Sequence, residues 1–326
     1  DWPFGFRELL ADRKQKGFSM INMAIGFACD VSKEQLPGAN EAGLPWGEEY
    51  EEINPEWFDM ADLKVIAIAD VGLVPGVFFA WAYWITLLDE ERMRRHVRYC
   101  VARWGALPVV WNLCGELAMP YYMAENKDEL REQQTAAWTR IAKYVKQIDG
   151  YASLLSAHPF GRAGRSSNAV TDASVLDFEM LQGGHGDVRV VEWSLERTKK
   201  VIDDPETLHP IVMGETCFEG MYNRTSPFGQ RMLFYGQFLN GLRGICYGAE
   251  GIWQMNTAEE PLGPSPHGQA WGNTPWREAM HFGGSRDMGI GKRLMEHFEW
   301  WKFERHDDWY AIPDIMGGQT VPYAAA

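Results

Sequence analysis

The stretch PVVWNLCGELAMPYYMAENKDELREQQTAAWTRIAKYVKQI, residues 108–148, decides the fold. Its opening, PVVWNLCGE, is a β-branched and aromatic run without polar alternation, the pattern of a strand apolar enough to be buried on both faces. A Pro-containing loop follows, and from Asn126 to Ile148 the spacing of apolar residues becomes that of an amphipathic helix. Strand, loop and helix in this order are half of a βαβ unit, which implies a parallel sheet with helices outside it. The same stretch sets a carboxylate, Glu116, directly after the strand and directly before the loop.

The alternation extends in both directions. FRELLADRKQ reads as an opening helix, and FSMINMAIG (18–26), LVPGVFFAW (73–81), YASLLSAHP (151–159), VLDFEMLQ (175–182), PIVMGETCF (210–218) and GICYGAEG (244–251) read as further strands, seven in all. Helices are predicted over NPEWFDMADLKVIAIADVG (54–72), with Asn54 as N-cap and Pro55 at the first position, and over DEERMRRHVRYCVARW (89–104). SLERTKKVI (194–202), GQRMLFYGQFLNGL (229–242) and MGIGKRLMEHFEWW (288–301) complete the set.

Polar, aromatic and acidic residues recur where the strands end: Trp81, Glu116, His158, Glu215 and Glu250. An open doubly wound sheet gathers its site at one switch point, whereas a (β/α)8 barrel collects residues from many strand ends on one face. The barrel is the better fit, and no GxGxxG follows the first strand to support dinucleotide binding. With seven strands and a helix at the start, the expectation is an N-terminally incomplete barrel over 1–310, its first strand upstream of Asp1 or supplied by another segment. Residues 311–326 are expected to begin a C-terminal extension or β-sandwich.

Composition excludes several classes. The 326 residues are 46% hydrophobic with no long polar tract, enough for one large core or two moderate ones. A formal charge of −14 argues against nucleic acid, which requires clustered Lys and Arg. No run reaches the roughly 18 apolar residues of a membrane helix, so no membrane insertion is expected. Any export signal would lie upstream of Asp1, with a periplasmic or secreted location favoured. Cys29, Cys100, Cys114, Cys217 and Cys246 are scattered without CxxC spacing and read as free buried thiols.

On a barrel whose missing strand is the first, Glu116 ends the fourth strand and Glu215 the seventh. Both then project into the barrel mouth. Two carboxyl groups facing one another are what glycoside hydrolysis requires: one, kept protonated, gives its proton to the leaving oxygen while the other attacks or stabilises the anomeric carbon. Their proximity also raises the proton affinity of one of them. Solvated loop acids are the plain alternative for either glutamate alone.

The segments RELLADRKQKGF, WNLCGE, HPFGR-x-x-RSS, LDFEMLQGGHG, VMGETCFEGM, YGAEGIWQM and HFEWW together resemble the apiosidase-like glycoside hydrolases, the domain of unknown function 4038 group that includes glycoside hydrolase family 140. The resemblance runs from about residue 5 to about residue 310. It implies a (β/α)8 barrel, hydrolysis of a glycosidic bond with retention, no metal and no cofactor, with Glu116 as acid/base and Glu215 as nucleophile. One departure is the Cys114-Gly115-Glu116 sequence where the family pattern has Asp after a Gly-Gly pair. The extra methylene moves the proton donor by about 1.5 Å, which weighs against apiose in a pectic side chain as the substrate.

A sugar-binding set is expected around the pair. His158 ends the fifth strand, and His185 lies in the glycine-rich GGHG segment. Asp177 shares a strand face with Glu179, where unpaired acids would be costly. Glu219 completes the VMGETCFEGM motif, and Trp46, Trp81 and Trp253 are candidate stacking platforms, although Trp is more often core. The run GPSPHGQAWGNTPW (263–276) is a long polar loop expected over the mouth. The substrate class is a plant or microbial polysaccharide or its fragments. Two other readings are a sugar-binding barrel without catalysis and a metal hydrolase using His158, His185 and Asp177, the latter lacking HxH or HExxH spacing.

Overall fold

The computed structural model describes residues 2–29, 38–47, 49–121, 124–161, 164–186, 188–221, 225–259, 261, 272–306, 311–312 and 321–322. The chain divides into two compact units, the first running to Glu179 and the second starting at Met180.

The first unit opens with helix α1 (Phe4–Lys16), then β1 (Met20–Ala24), α2 (Pro55–Asp70), β2 (Val74–Phe78), a short α3 (Trp84–Leu88), α4 (Glu90–Trp104), β3 (Val110–Asn112), α5 (Lys127–Ile148) and β4 (Leu155–Ser156). The strands form one parallel sheet in the order β1-β2-β3-β4, in register Met20↔Val74, Gly76↔Val110 and Trp111↔Leu155. Sequence order equals spatial order because each crossover carries a helix back to the start of the next strand.

Local chemistry sets the helix ends. Asn54 caps α2, its side-chain oxygen accepting from Glu56 N and Trp57 N, with Pro55 at the first position where the missing N–H costs nothing. Asp89 caps α4 through Arg92 N at 2.9 Å. Along α4 the buried residues are Met93, His96, Val97, Cys100, Val101 and Trp104, the spacing of one apolar helical face. At the end of α5, Asp149 accepts from the indole of Trp111 (2.9 Å) and from Tyr151 N and Ser153 N, tying the turn into β4 to the core strand β3.

The core of this unit is rich in tryptophan: Trp46, Trp104, Trp111 and Trp138 are all fully buried. His96 lies among them, its Nε2 2.8 Å from Phe79 O and its Nδ1 accepting from the Trp46 indole at 3.3 Å. An imidazole that accepts at Nδ1 and donates at Nε2 is neutral. Burial holds its pKa down to about 4. The thiols of Cys100 and Cys114 are fully buried and pushed well up, so they are inert at neutral pH.

The second unit carries a three-stranded sheet, β5 (Glu179–Gln182), β6 (Ile211–Glu215) and β7 (Gly244–Ile245), in that order. β6 and β7 are parallel, in register Val212↔Gly244. Its helices are α6 (Val188–Ile202), α7 (Pro227–Leu239), α8 (Trp276–Ala279) and α9 (Gly283–Met295), followed by a two-residue antiparallel ladder of β8 (Ala311–Ile312) and β9 (Val321–Pro322). Most of the expected extension at 311–326 lies outside the described residues.

All seven expected strands are present, each shorter than its apolar run. The clearest case is β3, expected to reach Glu116 and ending at Asn112. Glu116 adopts φ 47, which interrupts extended backbone. Parallel pairing resumes on either side of it as isolated bridges, Trp81↔Gly115 and Leu117↔Pro159. The closing helix was expected at 288–301 and instead spans Gly283–Met295, its first turn including Gly284, whose N–H is held by the Glu219 carboxylate. α6 likewise begins six residues earlier than the 194 expected, and α3 and α8 are too short to show a period.

Candidate active site

In the first unit three of the expected residues meet at the strand exits. Trp81 follows β2, and Gly115 and Glu116 follow β3. His158 follows β4. Backbone bonds lace these exits together: Gly115 N to Ala80 O (3.0 Å), Ala82 N to Gly115 O (2.9 Å), Leu117 N to His158 O (2.8 Å) and His158 N to Cys114 O (3.2 Å). The Trp81 ring lies directly on Gly115, where an added Cβ would fall 2.2 Å from the ring. The His158 ring, itself buried, is 6.5 Å from that of Trp81 and 6.1 Å from that of Phe78.

Glu116 is half-buried in this frame with a left-handed backbone. For a residue with a Cβ that conformation costs roughly 1–2 kcal/mol and persists only when the surroundings over-determine it. Here the two flanking bridges do so. The consequence is directional, since the αL backbone turns the side chain away from the alternation an extended strand would impose.

In the second unit Glu215 is the last residue of β6, with its side chain 11% exposed. Gln182, the last residue of β5, donates its Nε2 to Glu215 Oε1 at 2.8 Å. His185 Nε2 reaches the same oxygen at 2.9 Å. Phe218 stands next to His185, ring centroids 4.7 Å apart in edge-to-face contact, and its ring lies on Gly248 much as Trp81 lies on Gly115. Trp253 follows at 6.2 Å from Phe218, which makes an aromatic wall of His185, Phe218 and Trp253 beside the carboxylate.

Three expected sugar contacts take other positions. Trp46 is 2% exposed and packed in the core against His96, so it offers no face for stacking. Asp177 precedes β5 rather than following it; it accepts from Leu155 N at the start of β4 (2.7 Å) and pairs with Lys146 near the end of α5. Parallel strands share one direction, so Asp177 lies at the opposite strand end from Glu116. Glu219 is 3% exposed, and its carboxylate takes the Tyr247 hydroxyl at 2.5 Å and the Gly284 N–H at 3.0 Å to each oxygen. It caps the positive end of α9. The acid partner of Asp177 in the strand pattern, Glu179, is buried and accepts from Ser167 N at 2.9 Å.

Of the 263–276 loop, residues 263–271 lie outside the described residues. Its return is anchored by Glu250, whose Oε1 accepts from Thr274 N (3.1 Å) and Thr274 Oγ1 (2.6 Å). Among the described residues no group of three His, Cys, Asp or Glu is arranged to hold a metal ion. No helix among them is long and apolar enough to cross a membrane. Gln182 and Phe218 were not anticipated. The strand-exit rule that singles out Glu116 would have found Gln182 had it been extended to neutral polar residues; Phe218 carries no signal separating it from a core aromatic.

Comparison with solved structures shows the fold, and a family model shows the class. The chain superposes on a glycoside hydrolase with TM-score 0.71 at 20% identity, over 95% of this chain and 70% of that one. A glycoside hydrolase family 5 protein from Bacteroides vulgatus matches with TM-score 0.69 at 21% identity, over 91% of this chain and 65% of that one. A family 5 xyloglucanase from Bacteroides ovatus, solved with a heptasaccharide, matches with TM-score 0.56 at 11% identity, over 88% and 68%. The fold is therefore α/β, of the (β/α)8 TIM-barrel type. The family model for the apiosidase-like catalytic domain matches residues 5–302, and the chain belongs to that family. It is a glycoside hydrolase. A comparison with curated proteins found no match.

Proposed function

We propose that the chain hydrolyses O-glycosidic bonds with retention of configuration, with Glu116 as acid/base and Glu215 as nucleophile, on a plant or microbial polysaccharide or oligosaccharide. The observation that carries the assignment is the environment of Glu215: a strand-exit carboxylate whose Oε1 receives donors from both Gln182 and His185. Such donors favour the ionised form, and an ionised, fixed carboxylate is what a nucleophile must be.

In the first step the Glu116 carboxyl passes its proton to the glycosidic oxygen as the Glu215 carboxylate attacks the anomeric carbon. The carbon–oxygen bond breaks and a glycosyl ester forms on Glu215. In the second step the Glu116 carboxylate takes a proton from water, and the resulting hydroxide displaces Glu215 from the same carbon. Retention of this kind requires the two carboxyl groups to lie about 5–5.5 Å apart. Trp81 in the first unit, and Phe218 and Trp253 in the second, offer aromatic surface for a sugar ring, whereas the buried His158 offers none; the binding of carbohydrate by structurally similar enzymes, such as the xyloglucanase solved with its heptasaccharide, supports a carbohydrate substrate. No metal or cofactor enters either step.

Leaving-group kinetics test the roles. Glu116→Ala is expected to cripple glycosides with poor leaving groups while sparing those with activated aryl groups, which depart without protonation. Glu215→Ala is expected to disable both. Equal losses for the two variants on both substrate types would overturn the assignment, and a wild-type chain that binds sugars yet cleaves none of a broad aryl glycoside panel would favour a binding barrel.

A further inference from the structure

We infer that His185 is a positioning residue for Glu215, acting as a hydrogen-bond donor whose tautomer is fixed by the backbone N–H of Phe218. This rests on Glu215 being the nucleophile. The Phe218 N–H points at His185 Nδ1 with a separation of 3.4 Å. A ring nitrogen that accepts from an N–H carries its lone pair there, so in the neutral imidazole the proton sits on Nε2. Nε2 is the atom 2.9 Å from Glu215 Oε1. The chain thus places the proton on the side of the ring that faces the carboxylate.

The loop that carries His185 is built for this contact. Gly183 N donates to Glu215 O at 2.6 Å, which docks the loop on the end of β6. Gly184 then turns with φ 73, a conformation that favours glycine, and brings the His185 ring back over the carboxylate. A Cβ at Gly183 would lie 2.9 Å from Ser194 Oγ and 3.1 Å from Glu215 O, so the loop sits too close for any side chain there. The edge-to-face contact with Phe218 fixes the plane of the imidazole. Phe218 therefore acts twice, through its ring and through its N–H. Gln182, whose carbonyl is held by Arg197 Nη1 at 3.1 Å, brings the second donor to the same oxygen.

Two donors on one carboxylate oxygen restrict the terminal rotation of Glu215, so the attack geometry is set before substrate arrives. A hydrogen bond to a charged group of this kind accounts for roughly a ten- to hundred-fold change in rate. The sequence signal was the GGHG segment, which reads as a flexible sugar-contacting loop; the structure makes it a support for the nucleophile.

The test uses the whole chain and the p-nitrophenyl glycoside that wild type cleaves fastest in a panel. His185→Ala is expected to lower kcat roughly ten- to hundred-fold with KM little changed. At about pH 8.5, where small azoles are neutral, added imidazole is expected to restore activity and 1-methylimidazole, whose neutral form has no N–H, is not. Nitrogen-15 NMR of the wild-type histidines is expected to show His185 with Nε2 protonated and Nδ1 bare, a readout independent of turnover and of whether the variant folds. A wild-type kcat in His185→Ala, equal rescue by both azoles, or an Nδ1–H tautomer would each overturn the proposal. A Glu215→Ala variant that retains activity would instead remove the nucleophile assignment while leaving the tautomer result standing.

Discussion

Replacing Glu116 by glycine should give a more stable protein than replacing it by alanine, although neither has a carboxylate. Both substitutions remove the same side-chain interactions, so the difference between them isolates the backbone. At φ 47 a residue with a Cβ bears roughly 1–2 kcal/mol of strain. Glycine sheds that strain but loses about 0.5–1 kcal/mol more conformational entropy on folding. The net advantage of Glu116→Gly over Glu116→Ala is therefore about 0.5–1 kcal/mol. Relaxation cannot erase it cheaply, because the bridges at Gly115 and Leu117 hold the backbone on both sides. Unfolding entropy of about 2.1 cal/mol/K per residue over 326 residues converts 1 kcal/mol into roughly 1.5 °C. Urea titration of the two variants at pH 7, with thermal melts alongside, measures it. An alanine variant equal to or more stable than the glycine variant would refute the claim that the chain holds Glu116 under strain.

Other consequences follow from single contacts. Gly115→Ala would put a methyl 2.2 Å from the Trp81 ring and should cost about 1–3 kcal/mol of stability together with most activity, checked by denaturation and turnover. Glu219→Gln should lose about 1–2 kcal/mol from the start of α9 while KM stays unchanged, whereas a raised KM with unchanged stability would return Glu219 to the sugar site. His96 has a folded pKa of about 4 against 6.5, so the unfolded chain binds its proton first and stability falls as pH drops from 6.5 towards 4. Its contribution is complete above pH 6.5, and about 2 kcal/mol of it is gone by about pH 5; a His96→Gln variant should show a correspondingly shallower loss over that window in urea titrations, and an unchanged slope would contradict the neutral assignment.

Strand existence was legible because buried parallel strands are continuous apolar runs, and all seven stand out against amphipathic helices such as α4. Strand ends were less so. Beyond β3 the run is broken at Glu116 by a positive φ, which no periodicity encodes. Glu116 and Glu215 were visible as acids at strand exits; Asp177, Trp46 and Glu219, put forward on other grounds, hold structural contacts. Alternation puts Asp177 on a strand face but does not encode which end of the strand it occupies. Trp46 is core because the Nδ1 of a buried histidine accepts its indole proton, a partnership 50 residues apart in sequence. Glu219 looked like part of the catalytic motif, yet it answers the unpaired N–H of a helix starting 64 residues later. The support of Glu215 by Gln182 and His185 is likewise a tertiary fact, since their spacing of 33 and 30 residues from it carries no local signature.

The central claim is that Glu215 becomes covalently glycosylated during turnover. The direct measurement is mass spectrometry of the intact chain and its peptides after incubation with a 2-deoxy-2-fluoro glycoside, bearing an activated leaving group, of whichever sugar the wild type cleaves. The account predicts a single added glycosyl group on the peptide carrying Glu215, absent from Glu215→Gln and accumulating faster than it hydrolyses. A label on any other residue, or steady turnover of the substrate to the inverted sugar with no label at all, would contradict it.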